Sequence, residues 1–137
     1  MLPLKYSGYW RLAGLLLLLI VLVAAVMPAL WLWPDRVRIA SWFGGIDKWA
    51  HAITFAFLAV WFAGQYRPRG YWRIAVGLLA YGMLIELSQR SVSYRSAEWY
   101  DVAADVVGIA LGLLLATIGL GGWSLRFEAW LQARQAG

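Results

Sequence analysis

Long apolar runs separated by short polar junctions dominate the chain. Residues 12–33 carry no charged side chain, and at about 1.5 Å per residue a helix of this length spans the hydrocarbon core of a bilayer. Further apolar runs predict spans over about 49–66, 71–88 and 101–120. The third run is the least apolar, and its short apolar centre is also compatible with a re-entrant segment. The pattern predicts an all-α fold, an integral membrane four-helix bundle, in one domain over residues 1–137.

The segments outside these runs have their own patterns. Residues 34–46 combine proline, glycine, charged and aromatic residues, which predicts a loop along the membrane interface. The tail after residue 122 alternates apolar and polar side chains at helical spacing, which predicts a short C-terminal surface helix on the membrane. Lys5 and Arg11 precede the first run as in a signal peptide, but the run is too long and lacks a small-residue cleavage site, so we expect a retained span.

Composition supports a membrane protein and narrows its chemistry. Apolar residues make up 63% of the 137 residues and charged residues 14%, more apolar surface than a soluble domain of this length can bury. The net charge of +5 comes from basic residues scattered between apolar runs. This distribution favours topology signals and anionic head groups over nucleic acid. Because the chain has no cysteine, it has no disulfide, thiolate nucleophile or thiolate metal ligand.

The distribution of Lys and Arg indicates the orientation of the spans. Four crossings place both termini on one side of the membrane, together with seven basic residues: Lys5, Arg11, Arg67, Arg69, Arg73, Arg126 and Arg134. Five basic residues fall on the other side: Arg36, Arg38, Lys48, Arg90 and Arg95. Because short cytoplasmic segments are enriched in basic residues, this excess predicts cytoplasmic termini.

Charged and polar side chains cluster at the junctions that this topology places at the outer face. Ionisable groups at the ends of lipid-spanning helices are costly unless they face a bundle interior or water. We therefore expect a polar site at this end of the bundle. Its candidate residues are Asp47, Lys48, His51, Glu86, Gln89, Arg90, Arg95, Asp101 and Asp105.

Helical periodicity groups several of these residues on shared faces. Asp47 and His51 are four residues apart, so they lie on one face of the second span. In the same way Glu86 shares a face of the third span with Gln89 and Arg90. These groupings predict that the second and third spans turn their polar faces toward the same site.

The fourth span carries a stripe of acids and glycines. Asp101 and Asp105 continue into Gly108 and Gly112, whose small-xxx-small spacing allows membrane helices to pack closely. We expect this stripe to face inward, because two acids facing lipid cost several kcal/mol each. Asp101 is also compatible with the N-cap of this span.

The other candidate residues have structural interpretations too. Lys48, Arg90 and Arg95 are compatible with anchors that extend to lipid head groups. Glu86 and Asp105 are compatible with buried ion pairs that fix the geometry of the bundle.

The motif spacing resembles that of the VanZ-like family of bacterial membrane proteins. The resemblance covers about residues 47–116 and rests on Asp47-Lys48-x-x-His51, Glu86-x-x-Gln89, Arg95, Asp101 and Asp105-x-x-Gly108 followed by Gly112. The family commonly has asparagine where Asp105 stands, and often Pro-Gly where this chain has Ser93 and Tyr94. The resemblance implies a four-helix, multi-pass protein of the bacterial cytoplasmic (inner) membrane. The founding member is associated with low-level teicoplanin resistance.

Three functions are compatible with these residues. The first is binding of the head group of an envelope lipid, a lipid-linked precursor or a lipoglycopeptide, with Lys48, Arg90 and Arg95 contacting phosphate or carboxylate. The second is a membrane enzyme in which His51 and Glu86 perform acid–base chemistry. The third is a non-catalytic scaffold. Whether the protein is an enzyme is therefore left open.

The expected partners are membrane lipids or lipid-linked envelope precursors, and not nucleic acid. No cofactor and no metal are predicted, because acids and a single histidine without a metal-specific spacing are a weak metal signal. The sequence does not predict the oligomeric state.

Overall fold

The structure is a computed structural model that describes residues 1–31, 46–92 and 99–135. These residues form no strand and five α-helices: α1 (Ser7–Trp31), α2 (Ile46–Ala63), α3 (Tyr71–Val92), α4 (Trp99–Leu115) and α5 (Trp123–Gln135). A 3-10 turn, Pro68–Gly70, precedes α3, and a π-helical turn, Ala116–Leu120, follows α4. The prediction of an all-α fold is confirmed for the described part of the chain.

The helix boundaries differ from those of the predicted runs. α1 begins at Ser7 rather than near residue 12, and α3 is one continuous helix of 22 residues. Within the described ranges, two stretches are long and apolar enough to cross a membrane, Ser7–Val26 and Trp99–Leu120. Lys48–Ala63 is a shorter apolar helix.

α1 and α3 run in the same direction. The hydroxyl of Tyr81 in α3 donates to the carbonyl oxygen of Leu18 in α1. About two turns further along both helices, the Gln89 amide donates to the carbonyl oxygen of Ala25 at 3.1 Å. Because both partners advance together along the chain, the two helices are parallel.

α2 and α4 are also parallel, and their backbones touch. A Cβ atom on Gly108 would overlap the carbonyl oxygen of Ala52, and one on Gly112 would overlap that of Ala56. The two contacts advance together, four residues apart on each helix. Only glycine permits so close an approach, since any larger residue would place its side chain inside the backbone of α2.

α3 runs opposite to α4. Gly82 lies beside Asp105, whereas Tyr71, at the start of α3, lies beside Gly121, just after the π-helical turn. The four helices therefore alternate in direction along the chain. As a result, the start of α2, the end of α3 and the start of α4 lie together at one end of the molecule, which we call the polar end.

Side chains from α1 to α4 form a single apolar core. Its buried members include Phe55, Leu58, Leu78, Ile85 and Ile109. Large apolar side chains are nevertheless exposed along the outer surfaces of all four helices, among them Leu15, Leu19, Ile53, Phe57, Val76, Met83, Leu84, Val107, Leu111 and Leu114. A continuous apolar exterior of this extent is typical of a surface that meets lipid or a partner rather than water.

The N-terminus and α5 close the opposite end of the molecule, which we call the basic end. Four hydrogen bonds hold them against the last turn of α2 and the residues after it: Leu2 N–H to Gln65 O at 2.9 Å, Gly122 N–H to Ala63 O at 3.3 Å, Trp123 Nε1–H to Val60 O at 3.2 Å, and the Ser124 hydroxyl to Gly64 O.

α5 turns polar side chains toward the protein. Ser124 and Glu128 are buried, whereas Phe127 and Trp130 are exposed. The predicted C-terminal helix is present, but the alternation of polar and apolar residues did not reveal that its protein-facing side is polar and its outward side aromatic. The difference arises because Glu128 accepts hydrogen bonds from residues just before and within the first turn of α1.

Glu128 caps the start of α1. Its carboxylate accepts hydrogen bonds from the Lys5 N–H at 2.9 Å, the Tyr6 N–H at 3.0 Å and the Trp10 Nε1–H at 2.8 Å. Amide groups at a helix N-terminus lack intrahelical acceptors, and the helix dipole favours an anion there. Burial raises the pKa of Glu128, but these hydrogen bonds and the charge of Lys5 outweigh burial and hold the pKa below its usual value.

Candidate polar site at the ends of α2, α3 and α4

A histidine and an aspartate form the centre of the polar end. Nδ1 of His51 in α2 lies 2.9 Å from Oδ1 of Asp105 in α4. A carboxylate oxygen accepts in such a contact, and the imidazole donates through Nδ1 in the tautomer that carries its proton there. Asp105 is 2% exposed, and the His51 side chain is 12% exposed. The pair is thus a polar link between two helices whose backbones touch at Gly108 and Gly112.

A glycine on α3 makes room for this carboxylate. A Cβ on Gly82 would lie 2.5 Å from Oδ2 of Asp105 and 3.1 Å from the ring of Phe55. Phe55, one turn after His51, stacks parallel to the imidazole with ring centroids 6.5 Å apart. Gly82 and Phe55 were not among the predicted site residues, although Gly82 lies one turn before Glu86 on the same helical face.

The start of α4 contributes a second buried acid and a cation contact. Asp101 is 2% exposed and lies one turn before Asp105. Because α4 begins at Trp99, Asp101 is inside the first turn and is not the N-cap, so that alternative is wrong. Nζ of Lys48 lies 5.7 Å from the ring centroid of Tyr100, within the range of a cation–π contact.

The helix register places Glu86 at the same level as Asp101. Gly82 is beside Asp105, and because α3 and α4 run in opposite directions, one turn further along α3 corresponds to one turn earlier along α4. Glu86 is partly buried in this position. Three acids are thereby brought to the end of the molecule at which His51 and Lys48 lie.

The remaining candidate residues are less fully described. Gln89 is at the polar end, but its amide donates to the carbonyl oxygen of Ala25, so it links α3 to α1. Asp47 and Arg90 are on α2 and α3 at this end, with side chains outside the described residues. Arg95 also lies outside the described residues. The predicted grouping of Asp47 with His51 therefore lies outside the described residues. The contact between His51 and Asp105 lies within them.

No metal centre is evident among the described residues, where no group of three or more His, Cys, Asp or Glu side chains is arranged to hold a metal ion. The groups present can accept hydrogen bonds through Glu86, Asp101 and Asp105 and can attract an anion through Lys48. His51, held at Nδ1, can exchange a proton or a hydrogen bond through its ring.

Residues 9–120 match the family described as VanZ/LLP1. The chain belongs to the VanZ-like family. The family assignment from the motif spacing is confirmed, and the match extends beyond residues 47–116 to include most of α1. No curated protein matches the chain, and no solved structure does.

Membership of the VanZ-like family, together with the two long apolar helices, indicates a membrane protein. Among the residues that carry the family motif, the described ones at the polar end are Lys48, His51, Glu86, Gln89, Asp101 and Asp105. In this VanZ-like chain, Asp105 provides the acceptor for His51 at the position where asparagine is common in the family. An asparagine Oδ1 can accept the same hydrogen bond, so the contact does not require the negative charge.

Proposed function

We propose that this VanZ-like protein crosses the bacterial inner membrane four times and binds the head group of an envelope lipid or lipid-linked precursor at the polar end. The observation that carries the proposal is the partly buried hydrogen bond between His51 and Asp105, among helices whose outer surfaces expose large apolar side chains. Ionisable groups inside a membrane protein are costly, and those that are present mark sites for ligands, ions or protons.

Helix length and direction support the four crossings. α1 to α4 contain 25, 18, 22 and 17 residues, and the π-helical turn prolongs α4 to Leu120. Eighteen residues of α-helix extend about 27 Å, close to the thickness of the hydrocarbon core. Because consecutive helices reverse direction, four crossings place both termini on the same side of the membrane.

Reporter fusions test this topology. We expect a reporter fused after Gly137 to be cytoplasmic, and one inserted near Val92, at the polar end, to be periplasmic, since the basic end carries the larger number of Lys and Arg. A reporter inserted after Arg67 is the control for the first expectation, because it lies at the basic end and should also be cytoplasmic. Reversed locations, or all three reporters on one side, would contradict the topology.

The mixture of charges at the polar end favours a head group over a simple ion. Lys48 supplies a cation, and Arg90 and Arg95 follow Glu86 within nine residues of the sequence. Glu86, Asp101 and Asp105 supply acceptors. A head group that carries a phosphate together with hydroxyl or amino groups can contact both sets, whereas an inorganic anion can contact only the cations.

One observation also favours an enzyme as the second candidate. A carboxylate that fixes Nδ1 of a histidine sets its tautomer and orientation, as in sites where the histidine transfers protons. His51 and Asp105 have this arrangement, and Glu86 would be the second acid–base group. The two candidates differ in turnover: a binding protein returns its lipid unchanged, whereas an enzyme releases a product of different mass.

Native mass spectrometry of the protein, extracted in detergent from its own membranes, tests the proposal. We expect the wild type to retain one lipid-derived ligand per chain. His51→Gln and Glu86→Gln should weaken the affinity for the ligand by about fivefold or more, because a buried group left without its partner costs about 1–3 kcal/mol. Asp105→Asn should retain the ligand, since the asparagine still accepts from His51.

Ser88→Ala is the matched control. Its hydroxyl donates to the carbonyl oxygen of Leu84 in the same helix at 2.8 Å, and it lies on the helix that carries Glu86. The proposed site would be excluded if His51→Gln retained the ligand, or if Ser88→Ala lost as much ligand as His51→Gln. If Glu86→Gln retained the ligand and Asp105→Asn lost it, the essential carboxylate would be on α4.

A further inference from the structure

The basic end carries a large positive charge that no surface acid among the described residues offsets. Seven exposed basic residues belong to this end: Lys5, Arg11, Arg67, Arg69, Arg73, Arg126 and Arg134. Glu128 is the one acidic residue that the described segments place there, and it is 3% exposed. Because its carboxylate is committed to the start of α1, the outer surface of this end is positive.

Exposed aromatic rings accompany these cations. Trp72, at the start of α3, is 61% exposed, and Trp130 of α5 is 48% exposed. The guanidinium of Arg73 lies 5.3 Å from the Trp72 ring, and that of Arg134 lies 4.2 Å from the Trp130 ring. Phe127 stacks on Trp130 with ring centroids 5.8 Å apart. Aromatic rings beside cations are typical of the head-group layer of a membrane.

The orientation of α5 also indicates contact with the head-group layer of a membrane. A helix lying in water would bury Phe127 and Trp130 and expose Ser124 and Glu128, whereas α5 does the reverse. Its polar side is satisfied by hydrogen bonds to the protein body. The aromatic side of α5 therefore faces away from the rest of the described residues. An apolar surface there would cover its rings, and anionic groups beside that surface would pair with Arg134.

We infer that the basic end docks on anionic phospholipid head groups, with α5 lying in the interface, Phe127 and Trp130 toward the acyl chains, and the guanidinium groups of Arg73 and Arg134 at the phosphates. A second copy of this chain fits this surface poorly, because a two-fold interface would bring the same basic residues together. The inference rests on the chain being in a membrane and does not depend on ligand binding at the polar end.

Lipid retention by the full chain tests this surface. The protein is equilibrated with equal amounts of phosphatidylglycerol and phosphatidylcholine in detergent, and the retained lipids are counted by native mass spectrometry. The wild type should retain mainly phosphatidylglycerol. The triple variant Arg69→Gln, Arg73→Gln, Arg134→Gln should lose this preference by roughly fivefold per charge removed.

The matched control keeps the charge. Arg69→Lys, Arg73→Lys, Arg134→Lys should retain the wild-type preference, since attraction to a leaflet depends on charge more than on guanidinium geometry. His51→Gln should retain it as well, which separates this result from failure of the head-group site. Equal retention of both lipids by the wild type, or an unchanged preference in the glutamine variant, would overturn the inference.

A second copy as the occupant would give a different result. In that case the wild type would have the mass of a dimer, and Phe127→Ser, Trp130→Ser would convert it to a monomer with unchanged lipid preference. That outcome would also overturn the inference. A monomeric wild type in which Phe127→Ser, Trp130→Ser lowers the retention of phosphatidylglycerol would support it.

Discussion

Gly108→Ala and Gly112→Ala are each expected to destabilise the protein by about 1–3 kcal/mol, the usual cost of forcing added atoms into a packed core. The added methyl groups would overlap the carbonyl oxygens of Ala52 and Ala56, and the one at Gly112 would also lie 2.7 Å from Cβ of Ala59. A flexible side chain could move aside, but a backbone carbonyl moves only if α2 and α4 separate. Their separation would also lengthen the bond from His51 to Asp105.

Gly77→Ala is the matched control for these variants. Gly77 lies in the middle of α3 with nothing within 4 Å of an added Cβ. Because alanine favours a helix over glycine, this variant should be unchanged or more stable by up to about 1 kcal/mol. Gly121 is unsuitable as a control, since its Cβ would overlap the hydroxyl of Tyr71. Thermal unfolding in detergent measures the difference, and equal Tm values for Gly77→Ala and Gly112→Ala would contradict the close packing.

Glu128→Ala is expected to lower the free energy of unfolding by about 3 kcal/mol, because it leaves two backbone amides and an indole N–H without their acceptor. The donors belong to Lys5, Tyr6 and Trp10. Glu128→Gln should lower the free energy of unfolding by less, because its carbonyl oxygen still accepts a hydrogen bond. Its NH2 group, however, faces donors and cannot accept from them. Denaturant unfolding in detergent gives both values.

The contribution of Glu128 should depend on pH in a defined direction. Its pKa in the folded protein is below the ordinary value of 4.5. The carboxylate therefore stabilises the fold fully above about pH 4.5, and this stabilisation is lost as the pH falls through the folded-state pKa. The gap in unfolding free energy between wild type and Glu128→Gln should be constant near neutral pH and shrink in acid. A gap that widens in acid would contradict the assignment.

The glycine stripe shows what the sequence alone can predict. Helical periodicity places Asp101, Asp105, Gly108 and Gly112 on one face, and the described structure packs that face inward. Periodicity says nothing about which helix covers the face. The partner is α2, and its contribution at the glycines is two alanine carbonyls, which leave no signal in a hydrophobic pattern.

The histidine shows a similar limit. The four-residue spacing grouped His51 with Asp47 on its own helix, whereas its described partner is Asp105 on α4. Spacing within a helix identifies residues that share a face, but a bond between helices depends on their rotation and relative height. Here both are set by the glycine contacts between α2 and α4. The family motif contains all these residues without stating which of them pair.

The tail shows where local pattern is least informative. A helix after residue 122 was predicted and is present, but the polar side of α5 faces the protein. The sequence around Glu128 contains no sign of this, because the donors that bind its carboxylate are in the first ten residues of the chain. Only a contact between distant segments makes burial of that acid favourable.

The cap on α1 also sets an order of events during synthesis. Trp10 and Glu128 are 118 residues apart, so the first turn of α1 cannot acquire its carboxylate until residue 128 has left the ribosome. In the proposed topology, α1 to α4 therefore enter the bilayer while the N-terminal end of α1 is still hydrated, and the N-terminus is fixed in place only after α5 has been synthesised. Nascent chains arrested before Glu128 should leave their N-terminal residues open to proteases, and completed chains should protect them.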